Sequence, residues 1–399
     1  MSSPLTLATA VPGDAELTRL RDRLREHALF HDRAGTAPLL GLDLVHAAGI
    51  PTLTAGKRYG GAQIGLAETV RILGALGAGD PAVALITSMT MSAHGRQAAT
   101  GIWPEELYGT VLARSIERSS PINALRVEPA LGSPARGGLP ATIAHRTIDG
   151  WVLGGRKTFC TGSTALAYHL VWARTDEPEP RVGTFVVPGN APGIEIVETW
   201  DHLGLRASVS HDVVYRSVHV GADDVLELVE PQKALQDNVA AAAFGLSIAA
   251  IYLGVARSAQ QALHAFAWDR VPTTLGRPIA DTDRIRAVAG KVEMDLITGE
   301  QLVETTARRL EEGSPSRRLL TQALAVKSIA TNRAIGAVQT IVAALGNPAL
   351  TRSLPLERHL RDVLCARVHA PQDDTIADIL GRASLDRDLP AEVTTPFRD

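Results

Sequence analysis

The stretch "GWVLGGRKTFCTGS", residues 150–163, decides the fold, because its hydrophobic residues follow the period of a β-strand in a chain whose pattern is otherwise largely helical. It begins at the glycine of the turn-forming pair "DG" (149–150) and ends in small polar residues that are typical of a turn. Short runs of the same kind surround it: "ATIAHRT" (141–147), "HLVWART" (169–175), "VGTFVVP" (182–188), "IEIVETW" (194–200) and "DVVYRSVHV" (212–220). Together they predict a small antiparallel β domain at residues 121–226.

Helical patterns flank this β domain on both sides. Apolar residues recur at three- and four-residue spacing in "AELTRLRDRLREHALF" (15–30) and, after the β domain, in "RLLTQALAVKSIATNRAIGAVQTIVAALG" (318–346). The sequence therefore predicts an N-terminal helical domain at residues 1–120 and a C-terminal helical bundle at residues 227–399. This order indicates an α+β fold and argues against a doubly wound dinucleotide-binding fold.

Composition excludes several classes of protein. The chain has 399 residues, 45% of them hydrophobic, and its 40 basic and 43 acidic residues give a net charge of −3. The chain has no excess of basic residues that could bind a phosphate backbone, so a nucleic acid partner is not expected. The two cysteines, Cys160 and Cys365, lack metal-ligand spacing, and the first residues lack the pattern of a signal peptide. We expect a cytoplasmic protein without a structural metal.

One apolar segment has the length of a membrane span. The sequence "VAAAAFGLSIAAIYLGVA", residues 239–256, carries no charge, but half of it is Ala or Gly, and polar residues at helical spacing follow it. It is better explained as a helix buried in a bundle or an oligomer, and no membrane association is expected.

Glycine-rich and catalytic motifs offer little by themselves. "YGGAQIG", residues 59–65, opens a helical pattern but matches neither GxGxxG nor GxxxxGK[ST], so a plain turn explains it. The chain also contains no HExxH and no GxSxG sequence.

Two longer stretches carry a family resemblance. "NALRVEPALGSPARGGLPATIAHRTIDGWVLGGRKTFCTGS" (123–163) and "VGTFVVPGNAPGIEIVETWDHLGLRASVSHDVVYRSVHV" (182–220) contain, in order, an acidic-Pro-x-x-Gly-Ser turn, a hairpin ending in Lys, an aromatic-x-Thr segment and a "GLRAS" sequence. They resemble the middle domain of the acyl-CoA dehydrogenase superfamily, and residues 49–85 and 337–362 resemble its N-terminal helices and its C-terminal four-helix bundle. The resemblance implies non-covalent FAD or FMN, held between the β domain and the C-terminal helices, in a homotetramer whose neighbouring subunit completes the site.

Side chains for a flavin can be assigned in this frame. A flavin needs a flat apolar wall, which Phe159 offers, and a hydrogen-bond donor at its N5 atom, for which Thr161 and Ser163 are the candidates. Without the resemblance, Thr161 and Ser163 would be taken for turn caps. By position, four residues resemble those that meet the cofactor phosphates and adenosine, although each could equally be a surface side chain: Arg270, Gln339, Gly346 and Arg361.

The base expected of a dehydrogenase is missing. Relatives commonly carry Glu-Gly-Thr shortly after an Arg-Asp pair, whereas this chain has "VHAPQDD" (368–374) there, which puts Ala370 or His369 at the glutamate position. The other position used by relatives, at the start of the bundle, offers only Asp237 and Asn238.

The segment "GNPALTRSLPLERHLRDVLCARVH", residues 346–369, instead resembles two-component flavin monooxygenases, such as those acting on hydroxyphenylacetate, dibenzothiophene and amino sugars. The resemblance implies a separate flavin reductase and reaction with O2 through a flavin hydroperoxide. His369 is then the proton donor, since an imidazole exchanges protons near neutral pH. Asn123 resembles the asparagine beside the flavin edge, and His94 and Trp103 are candidates for the substrate pocket, His94 with the alternative of a core histidine.

The sequence therefore predicts a flavin-dependent monooxygenase that acts on a small molecule. An acyl-CoA or acyl-carrier-protein dehydrogenase stays open as an alternative, with His369, Asp373 or Asp374 as an unusual base, although an acidic pair that begins a helix is usually a cap. A third possible function is that of a non-catalytic scaffold with the same fold.

Overall fold

The computed structural model describes residues 7, 9–131, 138–234, 238–313 and 315–385. The chain forms two compact units, Met1–Asp237 and Asn238–Asp399. The first unit begins with helices: α1 is Asp14–Ala34, α2 Leu39–Ala47, α3 Leu66–Gly79, α4 Pro81–Thr100 and α5 Glu105–Glu117.

Local sequence explains where α4 begins and ends. The Asp80 side chain accepts a hydrogen bond from the Ala82 amide at 2.8 Å, and Pro81 occupies the first turn, where its missing N–H costs nothing. At the other end Gly101 adopts φ 64°, a left-handed conformation that glycine takes without steric cost. These two signals fix a 20-residue helix that lies mostly in the core.

The strands of the first unit form one mixed sheet. They are β1 (Ile122–Leu125), β2 (Ile143–Arg146), β3 (Gly150–Lys157), β4 (Tyr168–Thr175), β5 (Val182–Pro188), β6 (Ile194–Val197), β7 (Asp212–Gly221) and β8 (Val225–Val229). Their order is β6-β7-β3-β2-β4-β5-β8, with β1 beside β4. The pairing differs from the expected antiparallel domain at two places, because β1 and β2 follow one another along β4 and both run parallel to it.

The N-terminal helices and the sheet share a hydrophobic core. Ile122 and Leu170 from the strands pack in one buried cluster with Trp103, Tyr108 and Val111 from the helical part. The boundary near residue 120 therefore marks a change of secondary structure inside one compact unit. The division into three domains at residues 120 and 226 stays a prediction.

The second unit is helical, as expected. It contains α6 (Asn238–Asp269), α7 (Asp283–Glu311), α8 (Arg317–Leu345), α9 (Asn347–Leu350), α10 (Leu356–Leu364) and α11 (Asp373–Leu385). α6 is long and apolar enough to cross a membrane, with a mean hydropathy of 2.1, but 72% of its apolar window is buried inside the protein. A buried core helix passes the same test of length and composition.

Candidate functional site

The 158–163 loop, which follows β3 in the first unit, presents the predicted aromatic wall. Phe159 has φ 55° and is 64% exposed. A bulky residue rarely takes this left-handed conformation, and an exposed aromatic ring gains little by burial, so neither local preference nor packing accounts for it. The loop holds Phe159 outward because the Thr158 amide donates to the Val127 carbonyl and the Cys160 amide donates to the His211 carbonyl.

The 205–211 segment, which carries the "LRASVSH" sequence, anchors the rest of this loop. The Gly162 amide donates to the Ser208 carbonyl at 2.8 Å, and the Ser163 hydroxyl donates to the Val209 carbonyl at 2.6 Å. Leu205 and Val209 themselves have positive φ angles of 50° and 40°. Two motifs that are far apart in the sequence thus form one tightly hydrogen-bonded turn structure.

Thr161 and Ser163, the two candidate donors, differ in this structure. Ser163 is buried and its hydroxyl proton is used on Val209. The Thr161 hydroxyl accepts from Ser210 at 3.1 Å and donates to no described residue, so its proton remains for a ligand. Asn123 lies behind the loop, where its side-chain amide donates to the Thr161 carbonyl at 2.9 Å. This geometry favours Thr161 as the donor and gives Ser163 and Asn123 positions that support the loop.

A cleft of about 460 Å³ opens beside Phe159. On one side the Phe159 ring meets Trp200 edge to face, with ring centroids 6.4 Å apart, and Trp200 stacks on His202 at 4.2 Å. The lining residues are Val127, Glu128, Pro129, Thr158, Phe159, Thr199, Trp200, Ser210 and Asp212. Aromatic walls with a few polar groups are what a flat heteroaromatic ligand requires, and the volume lies in the range of small-molecule sites.

A buried ion pair borders this cleft through Glu128, one of the lining residues. Lys157, the last residue of β3, places its Nζ 2.6 Å from the Glu128 carboxylate, and both side chains are fully buried. Burial alone would raise the pKa of Glu128, but hydrogen bonds from Lys157, Thr142 and the Ala141 amide outweigh it and lower that pKa. The pair ties the start of the cleft to the sheet.

His94 and Trp103 lie in the core of the helical part. The His94 side chain is completely buried, its Nδ1 is 3.0 Å from the Tyr108 hydroxyl, and burial lowers its pKa to about 4. Trp103 is 4% exposed, packs edge to face on Tyr108 and anchors its backbone amide on the Gln97 side chain. This is the environment of a core histidine, and the assignment of both residues to a substrate pocket stays a prediction.

His369, in the second unit, follows α10 and lies against α6. Its Nε2 is 2.7 Å from the hydroxyl of Tyr252, whose ring is almost completely buried. Burial, with Cys365 and Asp362 nearby, holds the pKa of Tyr252 well above its ordinary value, so the phenol keeps its proton. The hydroxyl and the imidazole thus form one hydrogen-bonded pair.

The acidic residues near His369 have other partners. Asp373 accepts from the Asn332 side chain at 2.7 Å, and Asp374 accepts from the Thr375 amide at 2.8 Å in the first turn of α11. These contacts hold one oxygen of each carboxylate, while the buried Oδ1 of Asp373 accepts no hydrogen bond from a described residue and lies 3.8 Å from Nζ of Lys327. Asn238 begins α6, and Asp237 lies outside the described residues.

The four positions suggested for cofactor phosphates and adenosine have varied surroundings. Arg270 and Gln339 are exposed. Gly346 ends α8 with φ 65° and ψ −138°, a conformation that favours glycine. Arg361 forms a bidentate ion pair with Glu357, one turn earlier in α10, and this pair competes with any phosphate. These assignments stay predictions.

The structure also adds residues that the sequence argument missed. Trp200 and Ser210 flank the "GLRAS" motif and line the cleft, and a tryptophan so close to a family motif was an available signal. Tyr252 is the one tyrosine in the uncharged stretch 239–256, which also marks it. In the part of the chain that the structure describes, no group of three or more His, Cys, Asp or Glu side chains is arranged to hold a metal ion.

Comparison with known proteins supplies the wider context. The domain family described as "Acyl-CoA dehydrogenase, middle domain" matches residues 126–218, and "Acyl-CoA dehydrogenase, C-terminal domain" matches residues 246–373. The protein named "Putative acyl-CoA dehydrogenase YdbM" from Bacillus subtilis (strain 168) is 30% identical over 361 residues, which are 90% of this chain and 93% of the relative. Amino sugar nitrososynthase DnmZ from Streptomyces peucetius is 25% identical over 388 residues, covering 93% of this chain and 92% of the relative.

Among solved structures, FMN-bound TdsC from Paenibacillus sp. A11-2 resembles this chain with a TM-score of 0.82. The match covers 94% of this chain and 97% of TdsC at 21% sequence identity. At this level of identity the likeness concerns the fold.

Proposed function

The chain belongs to the acyl-CoA dehydrogenase family, and from this premise we propose that it is a flavin-dependent monooxygenase that transfers oxygen from O2 to a small molecule. The family resemblance and the α+β fold expected from the sequence are confirmed. The cofactor is a flavin, either FAD or FMN, as in the family and its structural neighbours. The oxygenation reaction is the proposal.

One observation carries it: His369, hydrogen-bonded to Tyr252, stands in the region where dehydrogenases of the family carry a glutamate. The nearby carboxylates of Asp373 and Asp374 are held by Asn332 and by a backbone amide. An α-proton of a thioester needs a base, whereas oxygen transfer needs a proton donor that can be recharged near neutral pH. His369 suits the second task, because an imidazole gives up and regains a proton near neutral pH. The Tyr252 hydroxyl, hydrogen-bonded to Nε2, holds the ring in place.

The 158–163 loop and the cleft beside it fit a flavin. Phe159 and Trp200 would hold its apolar ring system, and the Thr161 hydroxyl would donate a hydrogen bond to it. When bound in its reduced form, a flavin supplies the two electrons with which one atom of O2 enters the substrate and the other leaves as water.

The resemblance to two-component flavin monooxygenases also suggests a partner protein, an oligomeric state and a location. Reduced flavin would come from a separate reductase, and the protein would work as a cytoplasmic homotetramer. Both cysteines are buried thiols, Cys160 in the first unit and Cys365 in the second, which is compatible with a reducing compartment.

A second candidate is an acyl-CoA dehydrogenase that uses His369 as its base. The Bacillus subtilis relative, which is 30% identical over most of both chains, is named as an acyl-CoA dehydrogenase, and this favours the alternative. Histidine could remove an α-proton while hydride passes to the flavin, since an imidazole accepts protons at neutral pH.

Stopped-flow absorbance separates these two functions. The flavin-loaded protein is reduced without O2 and mixed with O2, and in parallel the oxidised protein is mixed with acyl-CoA thioesters of different chain length. We expect a distinct O2-dependent absorbing species that precedes oxidised flavin, and no bleaching by thioesters. Bleaching of the oxidised flavin by a thioester, with direct reoxidation by O2, would overturn the proposal in favour of the dehydrogenase.

A further inference from the structure

Lys327, on α8, is a buried cation that the proposed reaction does not use directly. Its side chain is completely buried. The Nζ atom donates to the His369 carbonyl at 3.2 Å and to the Pro371 carbonyl at 3.0 Å. These two carbonyl groups bracket Ala370, in the segment that connects α10 to α11.

The positive charge of Lys327 is only partly balanced by nearby acidic groups. Its nearest described carboxylate oxygen is Oδ1 of Asp373, 3.8 Å away, beyond hydrogen-bond distance. Burial lowers the pKa of Lys327, and Asp373 counteracts this effect only in part. A buried ammonium group is costly, and an apolar side chain of similar volume would avoid that cost but could not donate to the two backbone carbonyl groups. These two hydrogen bonds therefore explain why a lysine occupies this position.

The hydrogen bonds of Lys327 act on His369, which is held at two points. α8 fixes its backbone through Lys327, and α6 fixes its ring through the Tyr252 hydroxyl at 2.7 Å. Because the second unit contains both helices, the two anchors form one rigid frame around a single residue. Without the backbone anchor, a residue in an extended conformation after a short helix would be free to turn its ring away.

We propose that Lys327 and Tyr252 are positioning residues that clamp His369, Lys327 by its backbone carbonyl and Tyr252 by its imidazole. This inference rests on the proposed role of His369 as proton donor. It extends that role, because it assigns a function to two residues on the buried faces of α6 and α8. A donor held within a fraction of an ångström transfers protons far better than one that samples several positions.

The test compares Lys327→Met and Tyr252→Phe with a matched control, Tyr215→Phe. Lys327→Met keeps the length and apolar stem but removes both hydrogen bonds to the carbonyl groups. Tyr252→Phe removes only a hydroxyl group. Tyr215→Phe removes a hydroxyl from a similarly buried tyrosine–histidine pair, Tyr215 with His169, in the first unit.

The readout is the NMR spectrum of the flavin-loaded protein labelled at the histidine rings, with the His369 signals assigned by their loss in His369→Gln. We expect Lys327→Met and Tyr252→Phe to move the His369 signals toward the averaged tautomer mixture of a solvated histidine, while Tyr215→Phe leaves them in place. Unchanged His369 signals in Lys327→Met would overturn the clamp. If Lys327→Met does not fold, Lys327→Gln, which can reach at most part of the same contacts, decides in the same way.

A kinetic measurement separates this inference from the proposed function. In the wild-type protein the O2-dependent species is followed by stopped flow, and we expect its lifetime to fall about tenfold in Lys327→Met and in Tyr252→Phe, with no further loss when either is combined with His369→Gln. If the wild-type protein forms no such species, the proposed function fails, while the NMR result still decides whether Lys327 positions His369. Normal lifetimes together with displaced His369 signals would overturn the catalytic importance of the clamp.

Discussion

The carboxylate of Glu128 and the ammonium group of Lys157 lie 2.6 Å apart with both side chains fully buried. Glu128 belongs to the acidic-Pro turn and Lys157 to the hairpin that ends in Lys, so this pair joins two motifs of the family resemblance. Glu128 also accepts hydrogen bonds from Thr142 and the Ala141 amide, which satisfies both of its oxygens. The pair secures the wall of the cleft from which the 158–163 loop emerges.

Breaking this pair should be costly. Lys157→Met leaves the Glu128 carboxylate buried without its cation, and we expect a loss of about 3 kcal/mol in the free energy of unfolding. Urea denaturation measures it. As a control, Lys233→Met removes a cation from an exposed pair with Glu230 and should cost less than about 1 kcal/mol. Equal losses in both variants would contradict the structural role of the buried pair.

Phe159 should matter for flavin binding and little for stability. Because its ring is 64% exposed, Phe159→Ala removes few contacts within the protein, and we expect the free energy of unfolding to change by less than about 0.5 kcal/mol. Loss of the aromatic wall should weaken flavin binding about 5- to 10-fold, measured by fluorescence titration. Phe30→Ala is the control, since Phe30 is 68% exposed on α1 and does not line the cleft. Equal flavin affinity in both variants would exclude Phe159 from the site.

Substitutions of Thr161 and Ser163 should change different properties: the first the flavin, the second the stability of the protein. Thr161→Val removes the hydroxyl whose proton remains for a ligand, so we expect a changed flavin absorption spectrum and an altered rate of reaction of the reduced flavin with O2. Ser163→Ala removes the bond to the Val209 carbonyl and should cost about 1 kcal/mol of stability while the flavin spectrum stays the same. A spectral change confined to Ser163→Ala would reverse this assignment.

His369→Gln should affect chemistry and spare binding. We expect flavin affinity close to that of the wild type, a lifetime of the O2-dependent species at least about tenfold shorter, and more O2 released as hydrogen peroxide. Stopped-flow absorbance and a peroxide assay measure these effects. His264→Gln, at an exposed position of α6, is the control and should behave like the wild type. Unchanged lifetime and peroxide release would remove His369 from the mechanism.

Two core histidines should make the protein sensitive to acid. Burial lowers the pKa of His94 and of His169 to about 4, below the value near 6.5 of an unfolded chain. The unfolded state therefore binds more protons between these values, so stability falls as pH drops from 6.5 to 4, by up to about 3 kcal/mol for each residue. Urea denaturation across this range should show a weaker pH dependence in His94→Gln and His169→Gln, and the wild-type dependence in the exposed variant His219→Gln. A slope that survives both core substitutions would point to other groups.

Local patterns predicted most of the fold. The alternation in residues 150–157 predicted a strand because side chains of a strand point to opposite faces, and β3 has this form. The parallel pairing of β1 and β2 with β4 was not predictable in this way, since it depends on which distant segments meet in the core. The three- and four-residue spacing predicted the helices of the second unit, as confirmed by the structure.

The candidate site was predictable only in part. The family motifs pointed to Phe159 and Thr161, because the residue types that a flavin needs stand together in one short loop. They did not separate Thr161 from Ser163, since the partner of Ser163 is a carbonyl 46 residues away in the chain. Lys327 and Tyr252 escaped notice because each lies on the buried face of its helix, where the spacing of apolar residues indicates core.

The sequence by itself determined the α+β class, the family, the flavin and the absence of the usual glutamate, because these depend on residue types and on spacing along the chain. Only the tertiary structure decided which hydroxyl keeps a proton for a ligand, which acidic residues are held by other groups, and what holds His369 in place. Those properties depend on hydrogen bonds between segments far apart in the chain, such as the bond between Tyr252 and His369, 117 residues apart. Spacing along a sequence carries no information about such contacts until the chain has folded.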